Sequence, residues 1–512
     1  MGQPKNIREL LEGRARETPD KVYLFSEADG RAYTYAEFDR AVNRTARLLC
    51  ARGIGKGDVV SLLMPNSAEY IIAYFACFKL GALAGPINSL LKEQEMAYVM
   101  GNSETRALLF NSEFEAMVDS IRADLTRLRE LVLFDDERQA TADFQDAEAE
   151  EAALPESLIG PEDEAIIIYT SGTTGRPKGC LLTHANLIAN ARQITEWLKF
   201  TPSDRLLTLM PLFHMNAVSV TTMTPLYAGA STVISPKFSA SRFWQIISDY
   251  EVTSFGSVAT MLQMLLATYP KGVPQGLRTS QLRFAMCGSA PVPAEVLKKF
   301  EETFHCLVIE GYGLSESTCR STFNPPDERR RPGSCGMPIG NEMKVFDDED
   351  REVPEGELGE IVLRGENILK GYYKNEEATE RAFRGGWFHT GDVGYRDADG
   401  FFYIVDRKSD MIIRGGENIY PREIDEVLYQ HPSIAAAAVI GVPDKLYGEE
   451  VAAFVVLKEG AQASEEEIIN FCRTRLADYK CPKSVRLVRD IPKGPTGKLL
   501  KRELARLYAQ PS

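Results

Sequence analysis

The chain has 512 residues, more than one ordinary core accommodates, so two or three domains are expected. With 44% apolar and 26% charged residues it has the balance of a soluble globular protein, and its net charge of −14 disfavours nucleic acid as a partner. Nine cysteines stand singly, without C-x-x-C or zinc spacing, which indicates reduced thiols and a cytoplasmic compartment.

The N-terminus, MGQPKNIREL, lacks the apolar stretch of a signal peptide. Residues 34–53 carry apolar positions at helical spacing with Gly53 as a stop, and the strand pattern DVVSLLM follows. The most hydrophobic segment, 70–87, is interrupted by Lys79, Gly81, Gly85 and Pro86, so a buried helix ending near Gly81 is expected rather than a membrane span. Residues 142–164 are acidic and poor in large apolar side chains, the texture of a solvated connection. Strand and helix patterns then alternate through RLLTLMP, STVIS, VTSFGS and LRFAMCGSA, as in a largely parallel sheet with helices on its faces. Beyond Pro325 the strands become short, with glycine turns (EMKVFDDE, GELGEIVLRG, GFFYIVDRK), and a small antiparallel section is expected. From Met411 a domain-sized unit of about 100 residues begins, ending in a run rich in Lys and Arg. The expected division is an N-terminal domain over 1–405, a hinge at 406–410 and a C-terminal domain over 411–512.

Residues 169–179, YTSGTTGRPKG, follow the apolar run AIII. Glycines let main-chain N–H groups approach an anion, and hydroxyls add donors. The stretch does not fit G-x-x-x-x-G-K-[ST], so it is a phosphate loop of another kind, or a turn between strand and helix. Six further motifs stand far apart: PLFHMNA (211–217), CGSAPVP (287–293), GYGLSES (311–317), WFHTGDVGY (387–395), VDRKSDMIIRGGENIYP (405–421) and PTGKLLK (495–501).

All seven occur in the order of the adenylate-forming superfamily of acyl-CoA synthetases, adenylation domains and luciferases, which the chain resembles over nearly its whole length. The resemblance implies an α/β fold: a large N-terminal domain of layered parallel sheets and helices with a small β-rich section, and a small mobile α+β C-terminal domain. It implies ATP-dependent conversion of a carboxylic acid to acyl-AMP with pyrophosphate release, then transfer to CoA. It assigns ATP and AMP contacts to Thr170, Ser171, Gly172, Thr173, Thr174, Gly175 and Lys178. Gly288, Ser289 and Ala290 would lie beside the adenine, with the ring of Tyr312, between Gly311 and Gly313, stacked on it. Ser315 would meet the α-phosphate, and Thr170 and Glu316 would serve Mg2+. Asp392, an acceptor-only carboxylate when ionised, suits the ribose hydroxyls, with Arg407 assisting. Lys498 is expected to serve adenylation. Gly415, Gly416 and Glu417 would line the CoA tunnel after the small domain rotates about Ser409, where relatives usually carry Asp or Lys.

His214 replaces the aspartate that amino-acid-activating relatives carry after the aromatic residue of the PLF segment, which disfavours amino acids. It is expected near the acyl pocket, gating the thiol, whereas His389 reads as structural. Pocket walls of Met215, Val218, Phe255, Val258, Met261 and Met286 suit an aliphatic or alicyclic acid. Two other functions fit the same motifs: loading of an acyl carrier protein, and binding by an inactive homologue.

Overall fold

The computed structural model describes residues 4–134, 154, 158–170, 176–288, 294–492 and 500–509, apart from the side chains of Arg502 and Ala509. Two seven-stranded sheets form the bulk of the fold. The first has the order Leu307–Glu310, Phe284–Cys287, Ser254–Ser257, Arg205–Thr208, Ser231–Ile234, Val22–Ser26, Ala32–Thr34; every pairing is parallel except the last. Four of its inner strands, from Phe284–Cys287 to Ser231–Ile234, are buried at nearly every position, because helices cover both faces. The second has the order Gly371–Tyr372, Lys178–Thr183, Glu164–Thr170, Leu83–Pro86, Val59–Leu63, Ala107–Phe110, Glu130–Leu133. Its first two pairings are antiparallel and the rest parallel.

Local chemistry accounts for several boundaries. Helix Tyr35–Ala51 opens on a capping box of Thr34 and Glu37, and Gly53 follows its end at φ 75°. Helix Ala68–Leu80 is capped by Ser67 and ends at Gly81, which is left-handed at φ 69°. Twelve of its thirteen residues are buried, Lys79 among them; its ammonium meets Asp39 at 2.6 Å and Asn43 at 2.7 Å.

A smaller antiparallel sheet follows, built on Trp387–Arg396, with Gly359–Arg364 on one side and Phe402–Arg407 on the other. Glu342–Phe346 lies beyond Gly359–Arg364. The large core closes with Phe402. Separate cores begin at Ile412 and take in Leu504, packed around the antiparallel pair Ile434–Asp444 and Gly448–Leu457 and helices Pro421–Tyr429 and Glu465–Arg473.

One stretch joins these parts. After strand Leu307–Glu310 the chain makes a wide loop and returns beside itself, so that 311–313 lies on 319–323. The amides of Ser321 and Thr322 donate to the Tyr312 carbonyl at 2.9 and 3.1 Å, and the Tyr312 amide donates to Thr322 Oγ1 at 3.1 Å. Asn190 and Asn367 donate from outside to the Arg320 carbonyl, at 2.7 and 3.1 Å. The return is so close that a Cβ on Gly313 would lie 1.9 Å from the Cys319 carbonyl oxygen. At its tip Thr318 has φ 61°, a strained conformation for a β-branched residue, and its hydroxyl donates to the Asn367 carbonyl at 2.7 Å.

Gly313→Ala is therefore expected to destabilise the protein by about 3 kcal/mol, the upper range for overpacking a closed site. Gly55→Ala, where an added Cβ meets nothing within 4 Å, is expected to stay within about 0.5 kcal/mol. Denaturant midpoints of the two variants check the contrast.

Candidate active site

Two clusters form where the sheets meet. The first joins the two large sheets. Thr170 ends strand Glu164–Thr170, and its Oγ1 lies 3.4 Å from Glu316 Oε1 on the loop that leaves the other sheet. Tyr372 donates its hydroxyl to the same carboxylate oxygen at 3.2 Å. Lys178, paired with Thr170 across the strands, places Nζ 4.9 Å from the Tyr372 ring centroid. A carboxylate, a hydroxyl and an ammonium thus surround one edge. The segment between Thr170 and Lys178 connects two antiparallel strands, which corrects the alternative of a turn from strand to helix.

The second cluster joins the loop to the small sheet. Tyr312 donates its hydroxyl to Asp392 Oδ2 at 2.6 Å, and Arg407 Nε stands 3.2 Å from Asp392 Oδ1. Asp392 and Arg407 are directly opposed in register, so the sheet itself sets their spacing. Asp392 is buried, and a carboxylate oxygen can accept more than one hydrogen bond. Burial and the neighbouring Asp392 charge push the Tyr312 phenol well above its ordinary range, so it acts as a donor.

On the acyl side, Asn216–Met223 forms a π-helix, a geometry that often marks functional sites. His214 precedes it. Its Nε2 is buried without a hydrogen-bond partner, and burial lowers its pKa to about 4, so the imidazole is neutral near pH 7. Met215, Val218, Val258, Met261 and Met286 are buried. Phe255 corrects the expected pocket wall: its ring packs edge-on against Phe243 at 4.9 Å, in the layer formed by helix Ala240–Asp249. The next residue, Gly256, faces the opposite way, onto Asn216.

Gly288 and Gly311 abut; a Cβ on Gly288 would lie 2.7 Å from the Gly311 carbonyl oxygen. Ser315 opens the short helical turn that holds Glu316. Gly415 and Gly416 form the two-residue tip of hairpin Ile412–Arg414 and Glu417–Ile419, with φ 61° and 92°, as a turn with two left-handed positions requires. That tip and Glu417 are exposed. Ser409 is exposed too and bonds the Asp410 carboxylate at 3.2 Å. Nearby, Asp406 accepts from the Arg422 amide at 3.0 Å, and Lys501 lies 3.7 Å from Asp406 and 3.6 Å from Asp410. His389 is enclosed by Glu360, Arg384 and Asp350, in keeping with a structural role. Ser171, Gly172, Thr173, Thr174, Gly175, Ser289, Ala290 and Lys498 lie outside the described residues, as does most of the acidic connection.

Sequence reading missed Tyr372 and Arg320. Tyr372 gave no signal beyond its place in a GYYK turn. Arg320 is the sole charged residue between Glu316 and Asp327, and the structure buries it entirely.

The family model described as "AMP-binding enzyme" matches residues 11–373, and that of the "AMP-binding enzyme C-terminal domain" matches 423–498. The chain is 38% identical to the sulfoacetate–CoA ligase of Cupriavidus necator over 97% of its own length and 96% of the relative's. The crystal structure of ATP-bound MatB from Rhodopseudomonas palustris superposes with a TM-score of 0.91 at 31% identity, covering 98% of this chain and 99% of that one. The anthranilate CoA ligase AuaEII in complex with anthranoyl-AMP gives a TM-score of 0.89 at 31% identity, covering 100% and 98%. The fold is that of an adenylate-forming enzyme, and the chain belongs to the AMP-binding enzymes, the superfamily of the acyl-CoA synthetases. It is an AMP-forming acid–CoA ligase, which activates a carboxylic acid with ATP to the acyl-adenylate and passes the acyl group to CoA.

The neutral state of His214 has a pH consequence. The unfolded imidazole takes a proton below about 6.5, the folded one only below about 4, so its contribution to stability is complete above 6.5 and is lost as pH falls towards 4. His184, pushed to about 4 chiefly by burial, acts in the same direction. Denaturant midpoints of the wild type are expected to fall between pH 6.5 and 4.5, and more shallowly in His214→Phe.

Proposed function

We propose that Thr170, Glu316, Tyr312, Asp392, Arg407 and Lys498 divide the first half-reaction between them, on an aliphatic acid and with Mg2+. The reading is carried by one observation: side chains from two sheets converge on the loop 311–323, which leaves a third, in two polar clusters, one suited to phosphates and one to a ribose. Asp392 would accept from the ribose hydroxyls, steadied by Tyr312 and Arg407. Lys178 would stand at the polyphosphate.

Among the described residues no group of three or more His, Cys, Asp or Glu could hold a metal ion. A divalent ion carried by a nucleotide needs less, since Mg2+ is commonly held by one or two carboxylates together with substrate phosphates. Glu316 and the Thr170 hydroxyl fit that role. Bound there, the ion would neutralise charge on the phosphate oxygens. The protein's own task is positional: to hold the acid carboxylate in line with the α-phosphorus and to supply Lys498 to the oxygens on which charge grows.

The two half-reactions would use two placements of the C-terminal domain (411–512), turning about Ser409 within 406–410. The exposed Gly415–Gly416 tip is a surface that such a turn could bring to the thiol. The buried residues Met215, Val218, Val258, Met261 and Met286 favour an aliphatic chain on the acid.

The test measures acid-dependent release of pyrophosphate and AMP with ATP and Mg2+, with and without CoA, across a panel of carboxylic acids. Turnover that needs CoA and yields a thioester is expected; a pyrophosphate burst that CoA does not convert to turnover would make a carrier protein the acceptor. Lys498→Ala is expected to slow adenylation by about 10²–10³-fold, the cost of one transition-state donor. Thioester formation from supplied acyl-adenylate should fall far less, and equal losses in both steps would remove the two-placement scheme.

A further inference from the structure

Arg320 is 1% exposed. Its Nε and Nη2 have no hydrogen-bond partner, and among the described residues no carboxylate pairs with it. Its guanidinium packs 5.3 Å from the centroid of the Phe323 ring. A guanidinium does not shed its proton, so it cannot escape the cost of burial by becoming neutral, as a lysine can. A buried cation without a counter-charge is a site for an anion that arrives from outside.

Its position says which anion. A Cβ on Gly288 would lie 2.7 Å from Arg320 Nη1 and 2.8 Å from Nη2, so the guanidinium occupies the space that the glycine leaves. Gly256 pairs with Met286, and Gly288 stands two residues beyond Met286. Gly256 and Gly288 therefore face the same side of the sheet, about 8 Å apart by ordinary strand geometry. A Cβ on Gly256 would meet Asn216 Oδ1 at 3.0 Å, and both polar atoms of the Asn216 amide are buried without a partner. One face of the sheet, at the carboxyl ends of its parallel strands where such folds bind ligands, thus carries a guanidinium and an amide with unused donors. The cations assigned to the nucleotide are two others, Lys178 at the Thr170–Glu316 cluster and Arg407 at Asp392, while Gly288 itself is expected beside the adenine.

We propose that Arg320, with Asn216 beside it, receives a second anionic group on the acid, so that the substrate class is a short aliphatic carboxylic acid bearing a distal carboxylate or sulfonate. This rests on the acid-activating reading above. The planar fork of Arg320 matches either group in two parallel hydrogen bonds, and the surrounding burial strengthens them. Arg320 is then a specificity residue: it holds the end of the acid remote from the phosphate.

The test compares the wild type, Arg320→Lys and Arg320→Met on the C2 to C5 dicarboxylates and sulfoacetate against propionate, butyrate and pentanoate. The readout is the ratio of kcat/KM for anionic over neutral acids, from acid-dependent pyrophosphate release. The wild-type ratio is expected to exceed 10², to fall at least 100-fold in Arg320→Met, and to be partly kept in Arg320→Lys. A wild type that prefers the neutral acids would overturn the proposal. So would an Arg320→Met variant that loses both classes equally, since the arginine would then serve the phosphate or the fold. Calorimetric titration of the AMP-loaded proteins with the same acids separates this proposal from the ligase reading. Anionic-acid binding that Arg320→Met abolishes, without turnover of any acid, would keep the receptor and sink the reading. Absence of both binding and turnover would sink the two together.

Discussion

The return of the chain over residues 310–324 is the constraint on which the rest of the site depends. It leaves the first sheet, brings Tyr312 to the small sheet and Glu316 to the second large sheet, and then turns Arg320 under Gly288. Three glycines make the approach possible. At Gly311 an added Cβ would strike the Phe323 ring at 2.5 Å, and at Gly313 and Gly288 the space is equally closed. Side chains that in sequence are a few residues apart are thereby aimed at three different partners. Thr318, held at φ 61°, is the cost of turning so sharply.

Much of this was legible in the sequence, and the reasons differ by element. Helix Ala68–Leu80 could be read because Ser67 and Gly81 punctuate it. The parallel section showed in its regular alternation of apolar runs and helices. Four of the seven motifs supply the residues of the polar clusters, because hydroxyls, carboxylates and bare backbone stand there in fixed local order. What was hidden is long-range. Nothing local sets strand Val22–Ser26 beside Ser231–Ile234, some two hundred residues on. Nor does a local pattern show that Phe255 turns to Phe243 while Gly256 faces Asn216; one-residue alternation decides it, and the sheet's neighbours set its phase. Arg320 looked like any polar loop residue. Its burial follows from glycines thirty-two and seven positions earlier, which only the fold brings together.

The polar groups of the site are held rather than loose. Asp392 is fixed between Tyr312 and Arg407 by strand register, and Glu316 receives Tyr372 from an edge strand. Such groups need little rearrangement when charge develops near them, which is the sense in which a site is preorganised. The contrast with the junction at 406–410 is one of exposure. There Lys408 and Ser409 face solvent, with Lys408 paired to Asp348 at 2.8 Å and to Glu360 at 3.8 Å, whereas Asp406 and Arg407 before them are held by Arg422 and Asp392. Exposed pairs of this kind contribute about 0–1 kcal/mol each, so their exchange for others is inexpensive.

Lys79 has a meaning beyond its effect on hydropathy. A helix that is apolar on nearly every side can be buried in many rotations about its own axis, since oil-like contacts do not distinguish one azimuth from another. The ammonium at Lys79 does distinguish them: a single rotation brings it to Asp39 and Asn43 on the neighbouring helix, and with them to Glu12 at 3.4 Å. Every other rotation leaves a charge in the core without an answer. The lysine thus acts as a key in a keyway, and a helix whose greasiness would leave it free to spin is held at one angular setting.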